Sequence, residues 1–339
     1  MINILQNYSL KKLNTFGIEA LAKHFVEINS EKDYLELFEN SIYKTSEKFI
    51  LGGGSNILFT KNFEGLVIKN VIKGINIVKE EKNSIYVKSA AGEVWHDLVN
   101  WCIAKNFGGI ENLSLIPGCV GASPMQNIGA YGVEIKDVFE ELEAYDLQSG
   151  KKQTFNNSSC KFGYRESIFK HADKNKYLIV SVTFKLAKHP KFNVSYGAIK
   201  EELEKMGVKE LNIKHISQAV INIRNSKLPD PQKIGNAGSF FKNPEVEKVV
   251  FEKLKSQYPQ LVAYPLQNGN YKLAAGWLIE QSGLKGHVSG NACVHDKQAL
   301  VLVNKGNATG EEIYSLSEYV LQTVFAKFGV NLEREVNIM

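Results

Sequence analysis

Hydrophobic and polar positions alternate along several short segments of the chain, which predicts β-strands. The alternation is clearest over Tyr177–Leu186, where every second residue has a large apolar side chain. Shorter apolar segments separated by glycines predict three further strands, at Lys48–Leu51, Leu66–Lys69 and Ile85–Lys88. The first half of the chain is therefore expected to contain β-sheet.

Apolar residues at helical spacing interrupt these strands. One such stripe covers Glu93–Lys105. The best-marked helix lies near the C-terminus, where Thr309 and Glu312 form a T-x-x-E capping box and Gly329 supplies the stop signal. Because strands and helices are mixed along the chain, the pattern predicts an α+β protein.

The sequence changes character near residues 210–216, which predicts a domain boundary there. A helix-like segment, Ser217–Asn225, leads into Lys227–Pro231, a rigid polar loop with two prolines, and then into a glycine-rich stretch. We expect a first region of strands and helices, a middle region, and a third region near 215–328. The last residues, Asn331–Met339, predict another short strand, which returns to an earlier domain.

Composition excludes several classes of protein. Hydrophobic residues make up 44% and charged residues 23% of the chain, which is typical of globular domains and excludes a disordered or fibrous protein. The longest apolar stretches fall far short of the ~18 residues that a bilayer span needs. The N-terminal residues turn polar before a signal peptide could form. We therefore expect a cytoplasmic protein that does not enter the membrane.

Charge and cysteine content favour small-molecule partners. The net charge is +5, but the positive residues are scattered, without the basic face or motif of a nucleic-acid-binding protein. A small anionic ligand is compatible with this charge. The histidines are dispersed and no HExxH motif occurs, so no metal site is predicted. The cysteines lie far apart and are expected to be reduced thiols: Cys102, Cys119, Cys160 and Cys293.

Two glycine-rich motifs are candidates for binding an anion. The first, Gly52–Asn56, reads GGGSN and directly follows a predicted strand, and the second covers Ile116–Gly132. Glycines permit positive φ and close backbone approach, so successive N–H groups can converge on a pyrophosphate. On these residues alone, a dinucleotide site and two structural turns both fit the pattern. Neither GxGxxG nor GxxxxGK[ST] occurs, which excludes a Rossmann fingerprint and a P-loop.

These motifs, with others further along, resemble those of the UDP-N-acetylenolpyruvoylglucosamine reductase (MurB) family. The resemblance runs in order through almost the whole chain, and its most specific part reads GNAGSFFKNP. Tyr196 lies in an extension after the strand at Tyr177–Leu186, so the chain is similar to the longer of the two classes of the family, in which a tyrosine closes over the substrate. The matching segments are Asn14–Phe16, Gly52–Asn56, Ile116–Gly132, Gly163–Ser167, Gly235–Pro244 and Ala274–Ile279.

The resemblance implies a fold and a domain organisation. FAD would lie between two small α+β domains of the vanillyl-alcohol-oxidase (PCMH) type, and a third α+β domain would receive the sugar nucleotide. On this basis we expect FAD-binding subdomain 1 at residues 1–70, with the strand at 329–339 returning to it. FAD-binding subdomain 2 is expected at 71–214 and the substrate-binding domain at 215–328.

The resemblance also implies the reaction. NADPH would reduce non-covalently bound FAD, which would then deliver a hydride to UDP-N-acetylglucosamine enolpyruvate, giving UDP-N-acetylmuramate for peptidoglycan. Arg165 would hold the substrate carboxylate, Ser239 would supply a proton, and Glu335 would stabilise the developing charge as the neutral acid. By residue type alone, each could equally be an ordinary surface, turn or strand residue.

The remaining candidate residues form two groups. Four match positions that contact the nucleotide sugar in the family, and each could also be a solvated or structural residue: Tyr196, Lys227, Asn243 and Gln298. The others are expected to bind FAD: Gly52, Gly53, Gly54, Ser55, Asn56, Pro117, Gly118, Val120, Gly121, Ala122, Asn127, Gly129, Ala130, Tyr131 and Gly132.

Two alternative functions stay open on the sequence. An FAD-dependent oxidase of the same superfamily, acting on a hydroxy acid or sugar, would need a base to take a proton from an alcohol, whereas the matched residues are arginine, serine and glutamate. A flavin- or sugar-nucleotide-binding module without catalysis would be favoured by loss of Arg165 or Ser239, and both are present. We expect a monomer that acts on a UDP-sugar, with neither nucleic acid nor membrane as a partner.

Overall fold

The structure, a computed structural model, describes residues 2–339. These residues form two compact units, each assembled from separate stretches of the chain. The first unit contains the residues up to Tyr8 together with 22–54 and 63–226, and the second contains 9–21, 55–62 and 227–339. The chain therefore passes between the two units several times before it reaches residue 63.

Most of the strands are short. In chain order they are β1 (Leu5–Ser9), β2 (Leu21–Ile28), β3 (Lys48–Leu51), β4 (Ile57–Leu58), β5 (Phe63–Asn70), β6 (Ile75–Glu80), β7 (Ser84–Ala90), β8 (Gly129–Ala130), β9 (Val133–Glu134), β10 (Phe139–Asp146), β11 (Lys152–Asn156), β12 (Tyr177–Ala187), β13 (Gly235–Ser239), β14 (Glu245–Val246), β15 (Ala263–Pro265), β16 (Tyr271–Leu273), β17 (Val288–Ser289), β18 (Ala292–Val294), β19 (Val301–Asn304) and β20 (Asn337–Ile338).

The helices lie between these strands. The α-helices are α1 (Glu31–Phe38), α2 (Ser41–Thr45), α3 (Trp95–Ala104), α4 (Asn157–Cys160), α5 (Gly197–Lys205), α6 (Ile213–Lys227), α7 (Lys248–Gln257), α8 (Ala275–Gln281) and α9 (Gly310–Phe328). Short 3₁₀-helices lie at Lys11–Leu13, Glu111–Leu113, Val120–Gln126, Ile135–Asp137 and Ile168–Lys170.

Two larger sheets organise the first unit. The four-stranded sheet has the order β1-β2-β5-β3, and β5 pairs in parallel with both β2 and β3. The five-stranded sheet, β11-β10-β12-β7-β6, is antiparallel. The parallel register of β3 and β5 places Leu51 opposite Lys69. The glycine-rich motif that follows β3 therefore starts beside the end of β5.

Strand β12 contributes to two hydrophobic cores because a bulge reverses its side-chain alternation. Leu178 and Val180 pack in the core that includes side chains of α1 and α2, whereas Val182 and Phe184 pack in the core around α3. The register between β12 and β10 shifts at the bulge. Since one extra residue moves the following side chains to the opposite face, a nearly continuous apolar strand serves both cores.

The second unit contains sheets of shorter strands, with the orders β13-β19-β18-β17 and β14-β16-β15, and the parallel pair β20-β4. Buried Asn304, at the end of β19, links an N-terminal stretch to the first of these sheets. Its Nδ2 donates to the Phe16 carbonyl oxygen at 2.9 Å, and its Oδ1 accepts from the N–H groups of Gly306 and Ala308, each at 2.9 Å. One amide side chain therefore joins segments that are nearly 290 residues apart in the sequence.

The elements predicted by the hydrophobic pattern are present. β3 covers Lys48–Leu51 as predicted, and β12 extends the predicted strand by one residue. Helix α9 begins after Thr309 with both halves of the capping box formed, and it ends at Gly329, whose φ is +66°. These predictions, and that of a mixed α+β chain, are confirmed.

The C-terminal strand is shorter than predicted. Only Asn337–Ile338 of the segment Asn331–Met339 is a strand, and it pairs with β4. The preceding residues form single backbone hydrogen bonds: the Lys242 N–H donates to the Glu333 carbonyl at 2.9 Å, and the Glu335 N–H donates to the Phe240 carbonyl at 2.8 Å. Isolated bonds of this kind have no sequence period, so the pattern could not separate them from a strand.

The chain passes from the first unit to the second after Ser226, near the end of α6. Helix α6 belongs with the first unit because Ile216 and Val220 on its buried face pack with Ile199 of α5. The boundary near residues 210–216 stays a prediction. The division into three domains, 1–70, 71–214 and 215–328, stays a prediction.

We expect Gly310→Ala to destabilise the second unit. A Cβ at Gly310, the first residue of α9, would lie 1.8 Å from the carbonyl oxygen of Phe59, so backbone must move, at a cost of about 1–3 kcal/mol. Gly197→Ala is the control, because a Cβ there meets no atom within 4 Å. Urea unfolding measures both variants, and equal unfolding midpoints would contradict the expectation.

Candidate active site

The two glycine-rich motifs lie side by side in the first unit. A Cβ at Gly53 would be only 2.7 Å from the Cα of Gly118, so the two backbones touch where neither residue has a side chain. Gly118 has a φ of +116°, which favours glycine. The structure thus brings most of the predicted FAD-binding residues of both motifs together: Gly52, Gly53, Gly54, Pro117, Gly118, Val120, Gly121 and Ala122. Ser55 and Asn56 belong to the second unit.

Backbone hydrogen bonds fix the second motif to the start of α3. The Trp95 N–H donates to the Gly118 carbonyl at 3.0 Å, and the Val120 N–H donates to the Glu93 carbonyl at 2.9 Å. Gly121 donates to the Ala91 carbonyl at 2.9 Å, and a Cβ at Gly121 would lie 2.6 Å from that of Ala91. The motif is therefore a rigid part of the unit.

Asn127 ends the 3₁₀-helix of the second motif, and its side chain is fully occupied by protein partners. Its Nδ2 donates to the Gly163 carbonyl at 2.9 Å and to Glu134 Oε2 at 3.1 Å, and its Oδ1 accepts from the Lys136 N–H at 3.1 Å. The residue is completely buried, with a left-handed φ of +46°. This amide holds loops together, and a contact of Asn127 with the cofactor stays a prediction.

A tight hairpin, β8-β9, follows Asn127. Its two central residues, Tyr131 and Gly132, both have positive φ, of +51° and +80°. Turns of this kind favour Asn-Gly, and a bulky residue at positive φ is strained. Because strained residues of this type concentrate at functional sites, Tyr131 is a strong candidate for a site residue.

Arg165 is also held in a left-handed conformation, with a φ of +57°. It lies in a turn that is closed by reciprocal backbone hydrogen bonds between Gly163 and Glu166, at 3.0 and 3.3 Å. Its Nη2 donates to the Gly129 carbonyl at 2.6 Å, and its guanidinium lies 5.3 Å from the centre of the Tyr164 ring. The predicted carboxylate-binding arginine is therefore fixed beside the hairpin.

Sequence reasoning missed a second arginine at this place. Burial lowers the pKa of Arg224, while the neighbouring Tyr131 side chain raises it and the charge of Arg165 lowers it. Its Nε is buried without a hydrogen-bond partner among residues 2–339. The signal that could have found it is its position on α6, because it continues the buried stripe of Ile216 and Val220 at four-residue spacing.

Tyr196 lies against the same hairpin. Its ring packs edge-on against the Tyr131 ring, with centroids 5.3 Å apart and planes at 89°. Asn193, three residues earlier, donates from Nδ2 to the Gly132 carbonyl at 3.0 Å, and Asn112 bridges the carbonyls of Asn193 and Tyr131. Tyr196 is 42% exposed. The predicted substrate tyrosine is thus positioned beside the hairpin and remains partly exposed.

In the second unit, Ser239 ends strand β13 within a loop shaped by Asn236. The Asn236 Oδ1 accepts from the Gly238 N–H at 2.9 Å, and Gly238 has a φ of +70°. The next residue, Phe240, accepts the backbone hydrogen bond of Glu335 at 2.8 Å. The backbones of two predicted catalytic residues, Ser239 and Glu335, are therefore held next to each other.

Asn243 and Gln298 both lie beside the start of α8. Asn243 Oδ1 accepts from the Ala275 N–H at 2.9 Å, and a Cβ at Gly276 would lie 3.1 Å from Gln298 Oε1. The predicted nucleotide-sugar residues of the second unit thus share one helix end. Lys227, at the end of α6, is exposed.

Two further properties were assessed over residues 2–339. None of the helices there combines the length and apolar content that a bilayer crossing requires. Within the same range, no three His, Cys, Asp or Glu side chains are grouped so that they could hold a metal ion. The cysteines are free thiols.

Two family descriptions match the chain. "FAD binding domain" matches residues 23–156, and "UDP-N-acetylenolpyruvoylglucosamine reductase, C-terminal domain" matches residues 230–339. The UDP-N-acetylenolpyruvoylglucosamine reductase of Flavobacterium johnsoniae is 51% identical over 100% of both chains. That of Chromobacterium violaceum is 47% identical over 97% of both chains.

A solved structure matches the fold. The crystal structure of UDP-N-acetylenolpyruvylglucosamine reductase (MurB) from Thermus caldophilus aligns with a TM-score of 0.69, covering 100% of this chain and 98% of that chain. The two sequences are 21% identical. The expected α+β fold with an FAD-binding domain is therefore confirmed.

Proposed function

We propose a role for each residue of the site from one premise, that this chain belongs to the UDP-N-acetylenolpyruvoylglucosamine reductase (MurB) family. The chain is a flavoenzyme that reduces UDP-N-acetylglucosamine enolpyruvate to UDP-N-acetylmuramate with NADPH, in peptidoglycan synthesis. FAD, when bound, supplies the hydride transfer from NADPH to the enolpyruvyl group. The chain's own residues must bind this cofactor, hold the substrate and move a proton.

The touching backbones of Gly53 and Gly118 are the observation that carries the cofactor assignment. A side chain at Gly53 would fill the place where the two motifs meet. Among the residues that the structure describes, the Gly53 N–H has no hydrogen-bond partner, so it can bind a phosphate oxygen. The residues present therefore fit FAD. We assign its pyrophosphate to this place and assign Ser55, Asn56, Ala130, Tyr131 and Gly132 to the remainder of the cofactor.

Arg165 is proposed to bind the substrate carboxylate. A guanidinium offers several N–H donors in one plane, and one of them is already fixed by the Gly129 carbonyl. A guanidinium held in one orientation can bind a carboxylate as negative charge develops on it. Arg224 adds a second positive charge in this region and keeps the strained Tyr131 in place. The need to hold Arg165 in one orientation accounts for its costly backbone conformation.

Ser239 is proposed to give the proton to the carbon next to the carboxylate, and Glu335 to stabilise the charge before that proton arrives. The adjacent backbones of the two residues support their joint action in the second unit. A serine is a weak acid, so it must be held in place to act on one carbon. The hydrogen bond from the Gly238 N–H to Asn236 Oδ1 fixes the loop that carries Ser239.

Tyr196, Lys227, Asn243 and Gln298 are proposed to bind the nucleotide sugar. Asn243 accepts a hydrogen bond through its oxygen at the start of α8, and among residues 2–339 its NH₂ group has no hydrogen-bond partner, so we assign that group to the substrate. Lys227 is exposed and can meet a diphosphate as a point charge. Partly exposed Tyr196 can donate its hydroxyl to the same group.

The wider setting follows from the chemistry. We propose a cytoplasmic monomer without a nucleic-acid partner, in three domains at 1–70, 71–214 and 215–328, with strand 329–339 returning to the first. The free cysteines and the use of NADPH support a reducing compartment. The scattered positive charge supports the absence of a nucleic-acid partner.

We expect Gly53→Ala to weaken FAD binding about 10- to 100-fold, because separating two backbones in contact costs about 1–3 kcal/mol. Fluorescence titration of the apoprotein with FAD measures the Kd. Gly197→Ala is the control, since a Cβ there meets no atom within 4 Å and Gly197 lies outside both glycine-rich motifs. Equal Kd values for the two variants would contradict the assignment.

Ser239→Ala should separate the two half-reactions. Bleaching of the flavin band by NADPH should keep its normal rate, because it needs no proton from Ser239. Recovery of the band on adding substrate should slow by ~10²–10⁴-fold, as expected for a lost general acid. Stopped-flow absorbance measures both, with Ser256→Ala, an exposed serine of α7, as the control. If both half-reactions slow equally, Ser239 is structural.

Tyr196→Phe should weaken substrate binding by roughly 1.5–3 kcal/mol, the value of a hydrogen bond to a charged group, and leave FAD content unchanged. Tyr319→Phe is a matched control, because Tyr319 is 46% exposed and Tyr196 is 42% exposed. A binding titration with the UDP-sugar tests this. Unchanged affinity in Tyr196→Phe would assign the hydroxyl no part in binding.

A further inference from the structure

Lys69 lies in the four-stranded sheet of the first unit, and its ammonium group contacts the loop assigned to the cofactor. It lies near the end of β5, opposite Leu51 of β3, and the loop begins at the next residue, Gly52. The Lys69 Nζ donates a hydrogen bond to the Gly52 carbonyl oxygen. Nothing in the sequence pattern marked this lysine as functional, because it is a polar position in a predicted strand.

The ammonium group of Lys69 has no ion-pair partner among residues 2–339. Burial lowers the pKa of its ammonium group, while Cys119 and Glu27 raise it and Lys73 lowers it. No carboxylate among residues 2–339 lies within ion-pair distance of its Nζ. Two other half-buried or buried lysines differ in this respect: Lys88 pairs with Glu143 at 2.6 Å, and Lys242 pairs with Glu333 at 3.1 Å.

A desolvated ammonium without a counter-ion destabilises a folded protein. An anion bound nearby removes that cost, so the site gains affinity for the anion. The loop beside Lys69 is the one assigned above to the FAD pyrophosphate. The buried charge of Lys69 therefore favours cofactor binding, and it destabilises the protein when no cofactor is bound.

The hydrogen bond also sets the direction of a backbone donor. The Gly52 carbonyl and the Gly53 N–H belong to one planar trans peptide, so they point in opposite directions. While Lys69 holds the carbonyl toward the sheet, the Gly53 N–H faces away from it. Among residues 2–339, that N–H has no hydrogen-bond partner.

We propose that Lys69 is a positioning residue for the cofactor, which orients the Gly52–Gly53 peptide and offsets the charge of the FAD pyrophosphate through it. The inference rests on the assignment of this loop to FAD. It extends the cofactor site to a residue that lies outside both glycine-rich motifs.

Lys69→Met tests the proposal, because it removes the charge and the donor while keeping an unbranched apolar chain. FAD titration of the apoprotein should give a Kd about 10- to 100-fold higher than that of the wild type, as expected for a lost charge-assisted hydrogen bond. Thermal unfolding of the same apoprotein should show an equal or higher midpoint, because an uncompensated charge has gone. A residue that merely supports the fold would lower both quantities together.

Two further variants separate the contributions. Lys69→Gln keeps an N–H donor without the charge, so its Kd should lie between those of the wild type and Lys69→Met, and it can be measured if the Met variant does not fold. Lys73→Met removes an exposed charge that pairs with Glu93 at 3.4 Å, and its Kd should change less than twofold.

Three results would overturn the proposal. A wild-type Kd in both Lys69 variants overturns the proposal, as does a loss of apoprotein stability that matches the loss of affinity. An equal effect of Lys73→Met also overturns it, because general positive charge would then account for the result. Wild-type protein that takes up no FAD would instead overturn the cofactor assignment itself.

Discussion

Gly53 and Gly118 bring the backbones of two loops into contact, and the proposed cofactor site depends on this approach. A Cβ at Gly53 would lie 2.7 Å from the Cα of Gly118, and the φ of Gly118, +116°, favours glycine. The first loop is aligned by the parallel pairing of β3 with β5, and the second by its hydrogen bonds to the start of α3. The sheet and the helix therefore form the scaffold that holds the two glycines in one rigid arrangement.

The loops around Arg165, the proposed carboxylate-binding residue, depend on backbone strain. Asn127, Tyr131 and Arg165 all have φ between +46° and +57°, where residues with a Cβ lose stability. Their neighbours compensate: the Asn127 side chain satisfies three groups, and the turn around Arg165 is closed on both sides. Hydrogen bonding elsewhere in the loops thus stabilises conformations that the local sequence would avoid.

The sequence predicted the elements well because hydrophobic period and capping act locally. Helix α9 was predicted together with its cap at Thr309, and the two glycine motifs were identified as a pair. What could not be predicted depends on long-range packing. The bulge in β12 assigns one apolar strand to two cores, and Arg224 and Lys69 gain their significance only from the loops against which they fold. For Arg224, the local sequence signal was its position in the buried stripe of α6.

The second unit is assembled from stretches that are far apart in the sequence, and this has a consequence for synthesis on the ribosome. Residues 9–21 and 55–62 emerge early, yet their partners lie beyond residue 226. At typical translation rates they wait roughly ten to thirty seconds for those partners. During that interval Ser55 and Asn56 have no folded unit to join, although Gly53 and Gly118 can already meet. Under the proposed assignment of Ser55 and Asn56 to FAD, stable cofactor capture is a late event, and a nascent chain stalled before residue 227 would be a substrate for chaperones or proteases.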